Sequence, residues 1–240
     1  MATYEFGPLG PFKGKLGTVV GSSWKGKPYM RSLPGKITKE PTQKKKNAQS
    51  AFSFVSKWLA PINELVMIGF HHYDLSKTGR MSAHSYNSLN ALIKSSEGFS
   101  IDYSKALFSY GTLPGALTMD AKLTENDTVL ITWSTETLEE ARPSDVLMYL
   151  VYFPDKRKAD YAIGEHSRKD GKMLFKVPAE NRGQRMEIMI AFKSVIDNNV
   201  STSQYLGAIS FNQEVVISEN AEYCLPLSVE SILGRLKRIT

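Results

Sequence analysis

Between residues 42 and 95 the apolar positions recur every three to four residues. Ala48, Ala51, Phe52, Val55, Trp58 and Leu59 share one helical face, and Ile62, Leu65, Val66 and Ile68 continue it beyond Pro61, which breaks or restarts the helix. Thr42 or Asn47 can cap its start, and Gly69 with His71 to Gly79 reads as an exit loop. Ser82 can cap a second helix bearing Tyr86, Leu89, Leu92 and Ile93, closed by Ser95-Ser96-Glu97-Gly98. The pattern predicts a helical hairpin over 42–98.

From residue 115 the period changes to two. Leu117 to Leu123, Val129 to Trp133, Leu147 to Phe153, Met173 to Val177, Met186 to Phe192 and Tyr205 to Phe211 all alternate, with a weaker strand over Ala159 to Ile163. Turn signals separate them, among them Glu125-Asn126-Asp127, Pro154-Asp155-Lys156, Asp170-Gly171 and Asp197-Asn198-Asn199. Seven short strands over 115–217 predict a small β-sandwich. Residues 99–114, apolar and turn-rich, form a linker that docks on both neighbouring zones. Residues 218–240 are a tail with a short helix around Leu227 to Lys237, opened after Pro226.

The first 41 residues follow neither period for long. Thr18 to Trp24 and Pro28 to Leu33 are strand candidates around a Lys25-Gly26-Lys27 turn, and Pro8, Pro11, Pro28, Pro34 and Pro41 keep the flanks extended. This stretch is too poor in apolar residues to hold a core, and a lone hairpin is marginal in water. The predicted fold class is therefore mainly β with a helical hairpin: an extended N-terminal β-arm, two helices and a C-terminal seven-stranded immunoglobulin-like sandwich.

Trp133 in the run ITWS, the tyrosine-rich strand YLVYFP and the strand-and-turn run MEIMIAFKSVIDNNVSTSQYLG carry a resemblance to fibronectin type III and related immunoglobulin-like modules. A second resemblance spans nearly the whole chain. It rests on GPFKGKLGTVVGSSWKGKPYMRSLP, IGFHHY and FSIDYSKALFSYGTLPGA, and it is to a family of uncharacterised bacterial proteins, mostly from Bacteroidota. It implies no activity, and the tail past Ser218 looks like an extension of the family pattern.

Hydrophobic content of 42% and charged content of 22% are ordinary for a globular chain of 240 residues, so the interest lies in where the charge sits. Residues 1–46 hold ten lysines and arginines against Glu5 and Glu40, a net +8, while the chain as a whole carries +6 and the remainder −2. Such asymmetry points to nucleic acid, an anionic surface or an acidic patch on a partner. No apolar run is long enough to span a membrane. The N-terminus has no apolar stretch of a standard secretory signal, which predicts synthesis in the cytoplasm while leaving later release into an extracellular particle open.

Chemistry is sparse. His71, His72, His84 and His166 are the only histidines, and no spaced ligand set accompanies the adjacent pair, which reads as ordinary loop. Cys224 is the sole cysteine, with no histidine near it in sequence. Gly10-Pro11-Phe12-Lys13-Gly14-Lys15 is one residue short of a phosphate loop, and Leu16 stands where a Ser or Thr is needed. Gly21-Ser22-Ser23-Trp24 is not a nucleophile elbow. No catalytic residue, cofactor, metal or small-molecule substrate is expected, and the chain is read as a non-enzyme.

The expectation is a structural, self-assembling interaction protein: a component of a phage-like particle, filament or surface appendage, with a homo-oligomer or other protein subunits as partners. The arm adds to a neighbour's sheet through main-chain hydrogen bonds. Val20, Trp24, Tyr29, Met30 and Arg31 on the arm are the candidate contact residues. Phe52 and Trp58 on the first helix join them, because that helix carries apolar residues on more than one face. The alternative is a nucleic-acid-associated protein, in which arm lysines engage phosphates and Trp24, Tyr29 and Phe12 stack on bases. A third reading places a ligand on sandwich loops around Asp155 to Arg157 or Asp197 to Asn199, loops whose own sequence holds no aromatic cluster.

Overall fold

The computed structural model describes residues 3–4, 10–24, 26–36, 40–96, 98–124, 127–138 and 140–210. The expected tail helix and Cys224 lie outside the described residues. Two separately packed units make up the chain, one ending at Ala48 and the other beginning at Gln49.

The first unit is an antiparallel four-stranded sheet: β1 (Thr3–Tyr4), β2 (Phe12–Leu16), β3 (Val19–Trp24) and β4 (Lys27–Ser32), paired in chain order. Gly17 (φ 59°) and Gly26 (φ 77°) occupy the two tight turns, in a region open to glycine and strained for most other residues. The predicted hairpin is β3 and β4, in register from Val19↔Ser32 to Trp24↔Lys27. The arm is thus more than an extended hairpin. The strand β2 was hidden because its alternation, Phe-Lys-Gly-Lys-Leu, is mostly Lys and Gly and follows Gly10-Pro11.

The helical region contains α1 (Gln43–Leu59), a 3₁₀ turn at Ala60–Ile62, α2 (Asn63–Gly69) and α3 (Gly79–Asn90). Pro61 sits in the 3₁₀ turn, where its missing N–H costs little. At the start of α1, Thr42 rather than Asn47 acts as cap: its Oγ1 accepts from Lys45 N at 3.4 Å. Thr78 caps α3, its Oγ1 accepting from Met81 N at 3.3 Å. The predicted cap Ser82 is buried one turn inside, because Gly79 lets α3 begin earlier, close against the Met67 backbone. The predicted helix end is also displaced. After Asn90 the chain forms a hairpin, β5 (Leu92–Ser95) with β6 (Gly98–Ile101), that bridges the expected boundary between helices and linker.

Seven further strands follow: β7 (Met119–Thr124), β8 (Thr128–Trp133), β9 (Val146–Phe153), β10 (Lys158–Ser167), β11 (Lys172–Lys176), β12 (Met186–Lys193) and β13 (Gln204–Ile209). They form two antiparallel sheets, one ordered β10-β9-β12-β13 and the other β11-β8-β7. The protein is mainly β with a helical hairpin region.

Side chains on β9 and β12 alternate between two cores. Leu147, Tyr149, Val151 and Phe153, with Ile188, Ile190 and Phe192, pack with Val129, Ile131, Trp133 and Phe175 of the three-stranded sheet. Met148, Leu150 and Tyr152, with Met189 and Ala191, pack with Val55, Trp58, Leu59, Leu65 and Phe70 of the helices. The sheet β10-β9-β12-β13 is therefore the middle of three layers. A strand buried on both faces needs a near-continuous apolar run, which VLMYLVYF supplies. Each large apolar side chain so buried stabilises the fold by about 1.5–3 kcal/mol.

Beyond β6 the predicted linker is a partly buried strap with no strand or helix beyond isolated bridges, held by side chains along its length. Asn87 brackets Leu107, donating to its carbonyl at 2.8 Å and accepting from its N–H at 2.9 Å. Ser109 Oγ donates to Ser201 O at 2.7 Å, and Gln204 brackets Ala116 at 2.9 and 3.0 Å. Buried Arg168 donates to Pro114 O at 2.7 Å and Gly115 O at 3.0 Å. These side chains replace the ladder that irregular backbone lacks.

Candidate functional site

Directly paired residues share a face of the N-terminal sheet. One face carries Lys15, Val20 and Arg31 in a row, then Ser22 and Tyr29, then Trp24 and Lys27. The other carries Leu16, Val19 and Ser32, then Gly14, Gly21 and Met30, then Ser23 and Pro28. On this second face the Phe12 ring lies over Gly21: a Cβ there would stand 2.7 Å from Phe12 Cδ2. One face is thus basic and aromatic, the other apolar.

Little of this surface is covered. Gly21 is the only buried residue among the described residues of the unit. Met30 is 70% exposed, Trp24 48% and Tyr29 46%. Arg31 is exposed and Val20 half-buried. Pro28 lacks an N–H and so suits the edge strand β4, and it shortens the stretch of that edge able to donate to a further strand. All five predicted arm residues belong to this sheet, but they divide between faces: Met30 on one, Val20, Trp24, Tyr29 and Arg31 on the other.

The two predicted helix residues part company. Phe52 is 62% exposed, with its ring centroid 4.2 Å from that of His84. Trp58 is 4% exposed and belongs to the helical core, where its ring meets Tyr103 and Tyr152 at 6.5 and 6.2 Å. It packs inside its own chain, so it offers no surface to a neighbour. His71 and His72 are both exposed, with their rings edge to face at 4.7 Å. No group of three or more His, Cys, Asp or Glu able to hold a metal occurs among the described residues.

Two features of the second unit escape sequence reasoning. The first is a recess of about 290 Å³ with Phe54, Trp58, Phe99, Tyr103 and Tyr152 in its walls and Lys57, Arg157 and Arg185 also lining it. The loop Asp155 to Arg157 has no aromatic residues of its own, yet folding sets Arg157 beside rings drawn from α1, β9 and the strap. Burial pushes the Tyr152 hydroxyl up to about 12 and raises that of Tyr103 further. Nearby Glu187 is buried, which raises its carboxyl above the usual range, while Tyr205 donates to it at 2.5 Å and Arg185 pairs with it at 2.6 Å.

The second feature is Arg168, wholly buried with Asp145 as counter-charge at 3.4 Å and its guanidinium 3.9 Å above the Phe192 ring. Trp133 Nε1 donates to its carbonyl at 2.9 Å. A partial sequence signal existed, because Ser167 and Asp170 form a capping box around the turn. Nothing in Ser-Arg-Lys-Asp says that the arginine rather than the lysine turns inward.

Fold and surface together define a mainly β protein with a helical layer and a separate, largely uncovered N-terminal sheet. The chain belongs to DUF6266, a family of unknown function, whose model matches residues 11–207. The match takes in both units and stops short of the tail. No curated protein matches the chain.

Proposed function

We propose that this chain is a structural, self-assembling interaction protein whose N-terminal sheet makes the subunit contact, as part of a phage-like particle, filament or surface appendage. The observation that carries the reading is a four-stranded sheet whose Trp24 and Tyr29 rings and Met30 stand exposed, with no buried side chain among its described residues. Sheets that small gain stability from a covering surface. The charge division supports a second copy as that cover, since +8 on one unit complements −2 on the rest. Pro28 confines edge pairing on β4 to the neighbourhood of Met30 to Ser32, so side chains of both faces carry much of the contact.

The order β11-β8-β7 against β10-β9-β12-β13, with Trp133 in the shared core, supports reading the C-terminal strands as a seven-stranded immunoglobulin-like sandwich of fibronectin type III kind. The bacterial, mainly Bacteroidota, source implied by the sequence resemblance belongs to the same proposal.

Light scattering of the full chain tests it. The expected mass is a multiple of 26.8 kDa that falls to 26.8 kDa in Met30→Asp with the main melting transition unchanged. A wild-type chain that stays at the monomer mass in concentrated solution overturns the proposal.

A second reading has its own observation: Lys15, Lys27 and Arg31 share a face with Trp24 and Tyr29, the combination that binds single-stranded nucleic acid. Three phosphate contacts give a log K against log salt slope of about −2. Absence of binding to single-stranded RNA and DNA at low salt removes this reading.

A further inference from the structure

We propose that the recess between α1, β6 and the β9–β10 turn is a binding site for a small ring-shaped carboxylate, an aromatic acid or an acidic sugar. The inference is independent of assembly through the N-terminal sheet.

The walls select the ring. Trp58, Tyr103 and Tyr152 stand at centroid separations of 5.8–6.5 Å from one another, and Phe54 and Phe99 lie 6.0 Å apart. Such surfaces bind flat aromatic faces and the C–H faces of sugars alike. The volume of about 290 Å³ suits a ligand of about ten non-hydrogen atoms, taking about 30 Å³ for each water-sized group.

The polar groups select the charge. Trp58 Nε1 is buried and has no hydrogen-bond partner among the described residues, so a donor waits for an acceptor. The Tyr103 and Tyr152 hydroxyls make no hydrogen bond there either, and burial keeps both protonated and able to donate. No carboxylate lines the recess. Glu187, behind it, is already engaged by Arg185 and Tyr205. Lys57 and Arg157 form no ion pair among the described residues, which leaves two cations for an incoming anion.

Arg157 supplies a separate pointer. It closes the turn after Pro154 at φ 52°, its N–H donating to Pro154 O at 3.2 Å. Glycine or asparagine is the ordinary occupant of that conformation. An arginine standing there against backbone preference, and lining an aromatic recess, is accounted for by a ligand that needs the guanidinium.

Nuclear magnetic resonance on the full chain labelled with ¹⁵N tests the site directly. The chain has three indole signals, from Trp24, Trp58 and Trp133, and Trp58→Phe assigns the relevant one. Benzoate and glucuronate are the probes, with benzyl alcohol and glucose as their neutral counterparts. The expected result is a saturable shift of the Trp58 signal with at least one acid, little with its neutral counterpart, and none at Trp24 or Trp133. Response to benzoate identifies an aromatic acid, and response to glucuronate an acidic sugar. Arg157→Gly, which suits the backbone and so preserves the fold, is expected to weaken that binding roughly tenfold. A Trp58 signal unmoved by either acid at tens of millimolar overturns the proposal. So do equal responses to acid and neutral counterpart, or unchanged affinity in Arg157→Gly.

Discussion

Replacing Arg168 by methionine removes a charge that the fold has enclosed completely. Asp145, also enclosed, then keeps a carboxylate with no counter-charge, and breaking a buried pair in this way costs about 3–5 kcal/mol. The carbonyls of Pro114 and Gly115 lose donors at 2.7 and 3.0 Å, each worth about 1–3 kcal/mol if no water replaces it. The guanidinium also leaves the Phe192 ring, a contact worth up to about 2 kcal/mol when desolvated. All of these effects pass through one side chain and do not add, so a net loss of about 4–5 kcal/mol is expected, a large share of the 5–15 kcal/mol typical of a domain. Adding Asp145→Leu removes the stranded charge. Because Arg168 Nε and Asp145 Oδ1 make no hydrogen bond, the pair is incompletely compensated, and the double variant should recover about 2 kcal/mol of the loss, the rest staying with the Pro114 and Gly115 carbonyls and the Arg142 N–H that Asp145 no longer accepts. Urea unfolding of the four proteins gives the cycle, with a constant m-value as the check that the same transition is followed. A coupling below about 0.5 kcal/mol, or a single variant within about 1 kcal/mol of wild type, would refute the assignment of Arg168 as the tie between strap and sheets.

Two further outcomes follow from local geometry. At Gly21 a side chain would collide with the Phe12 backbone and ring, so Gly21→Val should lose the N-terminal sheet, seen as collapse of the Trp24 indole shift, while the main unfolding transition keeps its midpoint; a retained Trp24 shift would show that the sheet tolerates the side chain. Burial raises the hydroxyls of Tyr103, Tyr149, Tyr152 and Tyr205 above the unfolded value of about 10. The folded state therefore holds extra protons, and this contribution to stability is complete below pH 10 and lost as pH rises through about 12. Ultraviolet titration should show a late class of tyrosines that ionises only as the fold is lost and shrinks by one in Tyr152→Phe; uniform ionisation near pH 10 in folded protein would contradict it.

The strands were legible where one face only is buried, as in Val129, Ile131 and Trp133, because alternation survives in the letters. In β9 and β12 the same alternation was visible, but its second meaning was not: Met148, Leu150 and Met189 point to a separate core that the helices complete. Pro61 marked its break correctly because a missing N–H is a local property. Ser82 failed as a cap because helix starts also depend on what the helix packs against, here α2 through Gly79. The hairpin β5–β6 was lost because two four-residue strands, one mostly exposed and one half-buried, leave almost no pattern. The arm's residues were recognised as chemically distinctive, but their division between two faces depends on register, which only pairing reveals. Trp58 was misplaced for a related reason: Phe52 and Trp58 look equivalent in a helical repeat, and only the third dimension shows which ring faces Tyr152.

The strap explains why the recess is a lasting feature of the second unit. Its aromatic walls come from elements far apart in sequence, α1, β6, Tyr103 and β9, so its shape requires helices and sheets to keep their spacing. Apolar packing alone tolerates small slips between layers, whereas bracketed hydrogen bonds do not. Asn87 of α3 holds Leu107, Ser109 ties the strap to Ser201, Gln204 of β13 brackets Ala116, and Arg168 anchors Pro114 and Gly115. Helical layer and both sheets are thereby tied in one continuous series of polar contacts. A cavity held in this way loses little conformational entropy when it is filled, which favours binding even by a ligand of about ten atoms. The N-terminal sheet is organised oppositely: Gly21 is its only buried residue among those described, so no packed side chains hold its faces.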